Sequence, residues 1–270
     1  MSFAIAVYTS DPNLLRCELA RLNEDVELDL RSPEPMGAGW YSDSNVLLQR
    51  YASTVRPESL ELLGPDLESE ALIVHSSALP LGLSPEENTQ PFRFRSWLFA
   101  HLGKISGPQF RSGVQELLPG FLARSVKGST ESEWVFALFL AQMREIGHID
   151  DPGLAPLTSA QVLGKTARTV EKLSGARGDA LNLLATNDHV LLAARLGPEP
   201  MYFRLLEGMP TCDLHKLDGS AESQAAVREH LRRRSVVVAT RVTNPAGWIE
   251  IESGTSIGVG RNLHVEQVRF

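Results

Sequence analysis

Residues 72–105 read LIVHSSALPLGLSPEENTQPFRFRSWLFAHLGKI and contain two apolar runs, Leu72–Val74 and Trp97–Ala100, each ending on a histidine. Each run has the length and composition of a buried strand, and the Pro, Gly, Ser and Asn content between them marks a loop. The pair reads as a hairpin whose strand ends, His75 and His101, converge on a polar loop. Such a meeting point suits a functional site, because rigid strands aim side chains and loops vary them.

Upstream, Phe3–Tyr8 alternates as a strand does, and Ser10-Asp11-Pro12 offers an N-cap with proline at the first helical position, so a short helix is expected through Leu22. The acidic, Pro-containing stretch Asn23–Met36 reads as an exposed loop. Gly37-Ala38-Gly39-Trp40-Tyr41 opens a strand that pairs with Val46–Tyr51 across a turn at Ser42–Asn45. Downstream, helices are expected near Pro108–Leu118, over Thr130–Ile146 and over Ser159–Leu173. In the second of these, Trp134, Val135, Leu138 and Phe139 recur at core-facing helical spacing, and Ser129-Thr130-Glu131-Ser132-Glu133 supplies a cap.

A Gly175–Gly178 turn leads to two apolar strands, Leu181–Ala185 and His189–Ala194. Region 198–234 closes in a polar helix ending Arg232-Arg233-Arg234, a solvated triplet placed where the helix dipole favours it. Four short strands follow, Val236–Thr240, Trp248–Ile251, Ser256–Val259 and His264–Val268. Strands early, helices in the middle and strands late fit an α+β fold, two packed antiparallel sheets with helices on both outer faces.

Composition sets bounds on function. With 270 residues, 43% hydrophobic and 22% charged, the chain has ordinary globular proportions, and one domain over residues 1–270 is expected. A net charge of −7 argues against nucleic acid, which needs a basic surface. MSFAIAVYTSDP has no basic n-region, and no stretch supplies the ~20 apolar residues of a membrane span, so a cytoplasmic protein without membrane contact is expected. Cys17 and Cys212 stand far apart and read as buried small hydrophobes. The seven histidines show no metal-ligand spacing, and phosphate loops, Gly-x-Ser-x-Gly elbows and Cys-x-x-Cys pairs are missing. Neither a cofactor nor a metal is expected.

The order His75, then Asn88-Thr89-Gln90-Pro91-Phe92, then Phe99-Ala100-His101-Leu102-Gly103-Lys104-Ile105 resembles the class II glutamine amidotransferases. It is most similar to the small stand-alone branch that includes ergothioneine-pathway and glutathione-degradation amidohydrolases. There the pattern is His-Ile-Arg, Asn-Thr-His-Pro-Phe and Phe-Ala-His-Asn-Gly-x-Ile. The Gly37–Tyr41 hairpin, Ser129–Glu133, the strands around Thr186-Asn187-Asp188 and the C-terminal strands fall in the family's order too. The resemblance implies the four-layer αββα sandwich of N-terminal-nucleophile hydrolases.

It also implies roles. Family members carry a cysteine after the initiator methionine, whose thiol attacks the glutamine amide while its own α-amine acts as base. This chain has Ser2 at that position. Of the oxyanion donors, Gly103 keeps the backbone amide, whereas Leu102 stands where the family has asparagine; losing one such donor typically costs ~100–1000-fold in rate. Ser77 stands where an arginine clamps the substrate carboxylate, and Glu131 where an aspartate receives the ammonium. His75, Asn88, Thr89 and His101 match the family frame around the substrate pocket, and Gln90 replaces a histidine. Because the changes fall on glutamine-handling positions, the expected function is a degenerate amidotransferase-like protein that binds a protein partner or a small molecule in the inherited pocket. The alternative is an active amidohydrolase with Ser2 as N-terminal nucleophile on an amide other than glutamine.

Overall fold

The computed structural model describes residues 2–43, 45–51, 56–64, 67–147, 149, 151, 153, 155–175, 180–209, 211–217 and 224–270. In chain order, β1 (Phe3–Thr9) leads through a one-turn 3-10 helix at Pro12–Leu14 into α1 (Leu15–Asp25). The turn starts where the sequence signals it: the Asp11 carboxylate accepts from the Asn13 amide at 3.0 Å and Pro12 takes the first position. The hairpin β2 (Met36–Ser42) and β3 (Asn45–Tyr51) follows, then β4 (Ala71–Ser76), α2 (Pro85–Asn88), β5 (Phe92–Phe94) and β6 (Trp97–Gly103). The helical middle comprises α3 (Phe110–Leu117), α4 (Gly120–Ala123), α5 (Glu131–Glu145) and α6 (Pro156–Ser174). The chain then runs through β7 (Leu181–Thr186), β8 (Val190–Leu196), β9 (Tyr202–Glu207), α7 (Gln224–Arg232), β10 (Arg234–Ala239), β11 (Ile249–Glu250), β12 (Thr255–Gly260) and β13 (Val265–Arg269).

The strands form two antiparallel sheets, β11-β9-β10-β1-β4-β2-β3 and β13-β12-β8-β7-β6-β5. Side-chain alternation along each strand explains the layers. In β1, Phe3, Ile5 and Val7 face outward onto Leu15, Leu19 and Leu22 of α1, while Ala4, Ala6 and Tyr8 face the second sheet. In β6, Trp97 and Phe99 face outward onto Phe136 and Phe139 of α5, with Trp97 edge-on to Phe139 at 5.1 Å, while Leu98 and Ala100 fill the space between sheets. The result is helix, sheet, sheet, helix, as expected. Among the described residues no helix is long and apolar enough to cross a membrane.

Four readings need correction. β4 and β6 are not a hairpin: β4 pairs with β1 and β2 in one sheet, β6 with β5 and β7 in the other. The segment between them supplies its own strand, β5, so β6 finds a nearer partner and β4 faces it across the interior. The Asn23–Met36 loop is not simply exposed, since Val26, Leu30 and Met36 are buried in the outer core beside α1. Strand β9 was not anticipated within 198–234; its burial alternates weakly, and it is recruited by β10 on one side and β11 on the other. The Gly175–Gly178 turn begins with Gly175 left-handed at φ 66°, and residues 176–179 lie outside the described residues.

The fourth correction concerns the arginine triplet. Arg232 and Arg234 are exposed, but Arg233 is fully buried and paired with the equally buried Glu18 of α1. Alternation at the helix-to-strand junction turns the middle arginine inward, where only an opposite charge makes its burial tolerable. Burial pushes the Arg233 guanidinium below its ordinary range. Removing one partner strands the other charge, so Arg233→Met is expected to cost about 3–5 kcal/mol in urea unfolding, and the double variant Glu18→Leu/Arg233→Met to recover most of that loss.

Candidate active-site pocket

A cavity of about 800 Å³ opens where one end of each sheet meets the loops. Pairing explains which residues reach it. Because Phe3 of β1 lies opposite Ser76 of β4, Ser2 and Ser77 leave their strands side by side. At the neighbouring strand end, the Thr240 amide donates to the Ala4 carbonyl at 3.1 Å, and Arg241 Nε donates to the Ser2 carbonyl at 3.1 Å. From the other sheet, Leu102 and Gly103 end β6 opposite Asn182 and Leu181 of β7. Ser2, Ser77, His101, Leu102, Gly103 and Glu131 therefore line one cavity.

His75, Asn88 and Thr89 do not line it. They build the wall behind it. Asn88 Oδ1 accepts from the Ser129 amide at 2.7 Å and its Nδ2 donates to the Ser84 carbonyl at 2.9 Å, tying the 84–91 loop to the start of α5. Thr89 is buried, and its carbonyl accepts from Arg50 Nε at 3.3 Å. Gly37 allows this loop to lie on β2, since a Cβ there would collide with the Gln90 carbonyl oxygen.

The loop's most consequential member is Gln90. β5 stops short of His101, leaving that stretch of β6 without a strand partner on one edge. The Gln90 side-chain amide fills the gap as a peptide group would: Oε1 accepts from the His101 amide at 2.6 Å and Nε2 donates to the His101 carbonyl at 3.1 Å. The same carbonyl takes a second hydrogen bond, at 3.1 Å, from His75 Nε2 of the opposite sheet. The ring of His101 turns outward to Ser132 of α5, with Nδ1 2.9 Å from Oγ. One backbone position thus joins both sheets, the loop and the helix layer.

These partners fix protonation. Burial holds His75 down to about 3 and His101 down to about 4, from an ordinary 6.5, so both are neutral at pH 7. Nε2 of His75 then carries the hydrogen that it donates to the His101 carbonyl.

Glycine at 103 is required on two counts. Its φ is +143°, and a Cβ would collide with the Ala180 carbonyl oxygen. Leu102 continues the inward-facing series Leu98 and Ala100 and packs, half-buried, on the apolar filling between sheets. Ser2 Oγ lies 3.4 Å from Glu34 Oε2. Glu131 is engaged by Arg111 of α3, whose Nη2 and Nε approach its Oε1 at 2.7 and 3.0 Å. The expected cap of α5 takes another form: Thr130 makes no side-chain cap bond, and Glu133 accepts instead from the amides of Lys127 and Gly128 at 3.0 and 2.6 Å.

Sequence reading missed one constellation. Cys17, Cys212, His215 and His230 come together beside the seven-stranded sheet, at the ends of β1 and β10 away from the pocket, although their spacing in the sequence shows no metal motif. Their separation along the chain hid them, and only the three-residue step from Cys212 to His215 is local enough to have signalled a site.

The buried histidines make stability depend on pH. Below pH 6.5 the unfolded chain takes up protons that folded His75 and His101 refuse until pH 3–4, so their contribution is complete above 6.5 and is lost as pH falls through that window. Between pH 7 and pH 5, urea unfolding is expected to lose on the order of 1–2 kcal/mol per histidine. His75→Gln, which keeps a donor for the His101 carbonyl, flattens that slope.

Comparisons agree with this architecture. The chain is 28% identical over 136 residues to "Probable glutamine amidotransferase DUG3" of Saccharomyces cerevisiae, a match spanning 46% of this chain and 38% of that protein. A glutamine aminotransferase class-II domain protein from Silicibacter pomeroyi has a similar fold, with TM-score 0.58 and 19% identity over 99% of both chains. The glutamine phosphoribosylpyrophosphate amidotransferase of B. subtilis is similar at TM-score 0.56 and 14% identity, covering 99% of this chain and 49% of that one, and shares the fold. Residues 28–266 match the family described as glutamine amidotransferases class-II, and the chain belongs to that family.

Proposed function

We propose that this class II domain no longer hydrolyses glutamine and uses its inherited pocket to bind another small molecule or a protein partner. The observation that carries the reading is the convergence of altered residues on one cavity: Ser77, Leu102 and Glu131 all line it. A hydroxyl at Ser77 supplies no charge to a substrate carboxylate. Leu102 offers hydrocarbon where the family's pattern has an amide donor, leaving Gly103 alone to stabilise a tetrahedral oxyanion. Glu131 shares its carboxylate with Arg111 and is no longer a dedicated acceptor for an ammonium group. The pocket wall, by contrast, is fully built, and a cavity with intact walls and altered recognition groups suits a changed ligand. A cytoplasmic setting belongs to the same proposal and fits a chain whose only two cysteines stand far apart in sequence.

A second reading rests on Ser2, which lines the cavity beside Ser77 and Arg241. Once freed of Met1, its hydroxyl would be the nucleophile and its α-amine, with an ordinary pKa of about 8, the base, on an amide lacking the α-carboxylate.

Glutamate release from glutamine by protein with Ser2 at its N-terminus, measured beside Ser2→Ala, tests the proposal. No release from either is expected. Release that disappears in Ser2→Ala overturns it. Turnover of a panel of simple amides, abolished by the same substitution, would instead establish the second reading.

A further inference from the structure

We propose that Cys17, Cys212, His215 and His230 form a closed tetrahedral zinc site that clips α1, the 212–217 turn and α7 together. Their ligand atoms all lie within 4.8 Å of one another. Cys17 Sγ is 3.2 Å and Cys212 Sγ 3.6 Å from His215 Nδ1, and His215 Nδ1 is 3.2 Å from His230 Nε2. Zinc bonds of about 2.3 Å to sulfur and about 2.0–2.1 Å to nitrogen give tetrahedral edges of roughly 3.3–3.8 Å, close to these spacings.

The donor set selects the metal. Two thiolates with two imidazoles suit zinc, whereas calcium and magnesium need oxygen; a Rieske-type iron–sulfur centre also takes two of each but puts thiolates and imidazoles on different irons, which the 3.2 Å between Cys17 Sγ and His215 Nδ1 does not allow. Two thiolates neutralise a divalent ion, which makes the assembly fit to be buried, and Cys17, Cys212 and His230 are buried. The second shell is in place: His230 Nδ1 donates to the Ala226 carbonyl at 2.7 Å, fixing the tautomer that leaves the Nε2 lone pair free for a metal. Leu14, Met209 and Leu217 surround the cysteines with hydrocarbon. The exposed His215 closes the outer side, held by a tight turn in which the Leu217 amide donates to the Cys212 carbonyl at 3.1 Å. With four protein ligands and no open position, the site is structural rather than catalytic.

Its consequence lies in the seven-stranded sheet. α1 follows β1 and α7 precedes β10, and β1 and β10 are neighbours with Thr9 opposite Ser235. A metal joining Cys17 to His230 therefore fastens this pair at the end away from the pocket, whose other end carries Ser2 and Arg241. Binding takes up one zinc ion and releases the protons of any thiol not yet ionised.

Metal analysis of the full chain, purified under reducing conditions and desalted, tests this. About one zinc per chain is expected for the wild type, falling below about a tenth in Cys17→Ser/Cys212→Ser. Should that variant fail to fold, cobalt titration of metal-stripped wild type decides the matter: saturation at one equivalent, with thiolate-to-cobalt charge transfer and tetrahedral ligand-field bands, supports the site. Wild type that carries no zinc and takes up neither zinc nor cobalt overturns it, as does a Cys17–Cys212 disulfide formed in the freshly isolated protein.

Discussion

The carbonyl and amide of His101 are the hinge of this structure. A strand end inside a two-sheet sandwich carries backbone groups that cannot reach water, and leaving them unpaired is costly. Gln90 and His75 meet that need with three hydrogen bonds at 2.6 to 3.1 Å. Because one donor comes from the opposite sheet and the other from the 84–91 loop, satisfying a single peptide position also sets the spacing of the sheets and seats the loop that walls the pocket. The far end of the interior is tied in a similar way, with the Tyr41 hydroxyl 2.7 and 2.8 Å from the Ser96 and Thr186 carbonyls and Tyr8 donating to the Asp188 carbonyl at 3.0 Å. Between these ends the filling is mostly alanine and branched aliphatics, with Met201 and Phe203, and carries no directional information of its own.

The proposed loss of glutamine handling separates scaffold from recognition. Residues that hold backbone in place, His75, Asn88, Gln90 and Gly103, make hydrogen bonds to it or, at Gly103, carry the only side chain the space permits. The cavity-lining residues to which the proposal gives glutamine handling, Ser77, Leu102 and Glu131, offer a weak donor, a hydrocarbon and a carboxylate shared with Arg111. Leu102 is accommodated cheaply because it extends an apolar series already present on its strand face, so the exchange of a polar donor for leucine adds packing where it removes chemistry. This separation is why membership of the family settles the fold without settling the reaction.

Much of the architecture was legible in the sequence, for physical reasons that also mark the limits. Strict alternation in Phe3–Tyr8 and the apolar runs before His75 and His101 betray strands because each face of a buried strand must be apolar. Trp134, Val135, Leu138 and Phe139 betray α5 because helical spacing collects them on one side. Pairing partners are non-local, however, and β4 and β6 were joined as a hairpin when they face each other across the interior. Arg233 looked solvated because its partner, Glu18, lies at the other end of the chain. The Cys17, Cys212, His215 and His230 group escaped for the same reason: its members meet only because β1 and β10 are neighbours. In the pocket, order of motifs located Ser2, Ser77, Leu102 and Glu131, but the role of Gln90 as a substitute peptide group needed coordinates.

The central claim is that the pocket has lost its recognition of glutamine rather than merely its nucleophile, and direct calorimetric titration of L-glutamine into the protein tests it without depending on turnover. The account predicts no saturable heat at millimolar glutamine. Saturable binding that is lost when the ligand's α-carboxylate is removed would contradict it, because a carboxylate clamp would then persist in a pocket where Ser77 supplies none.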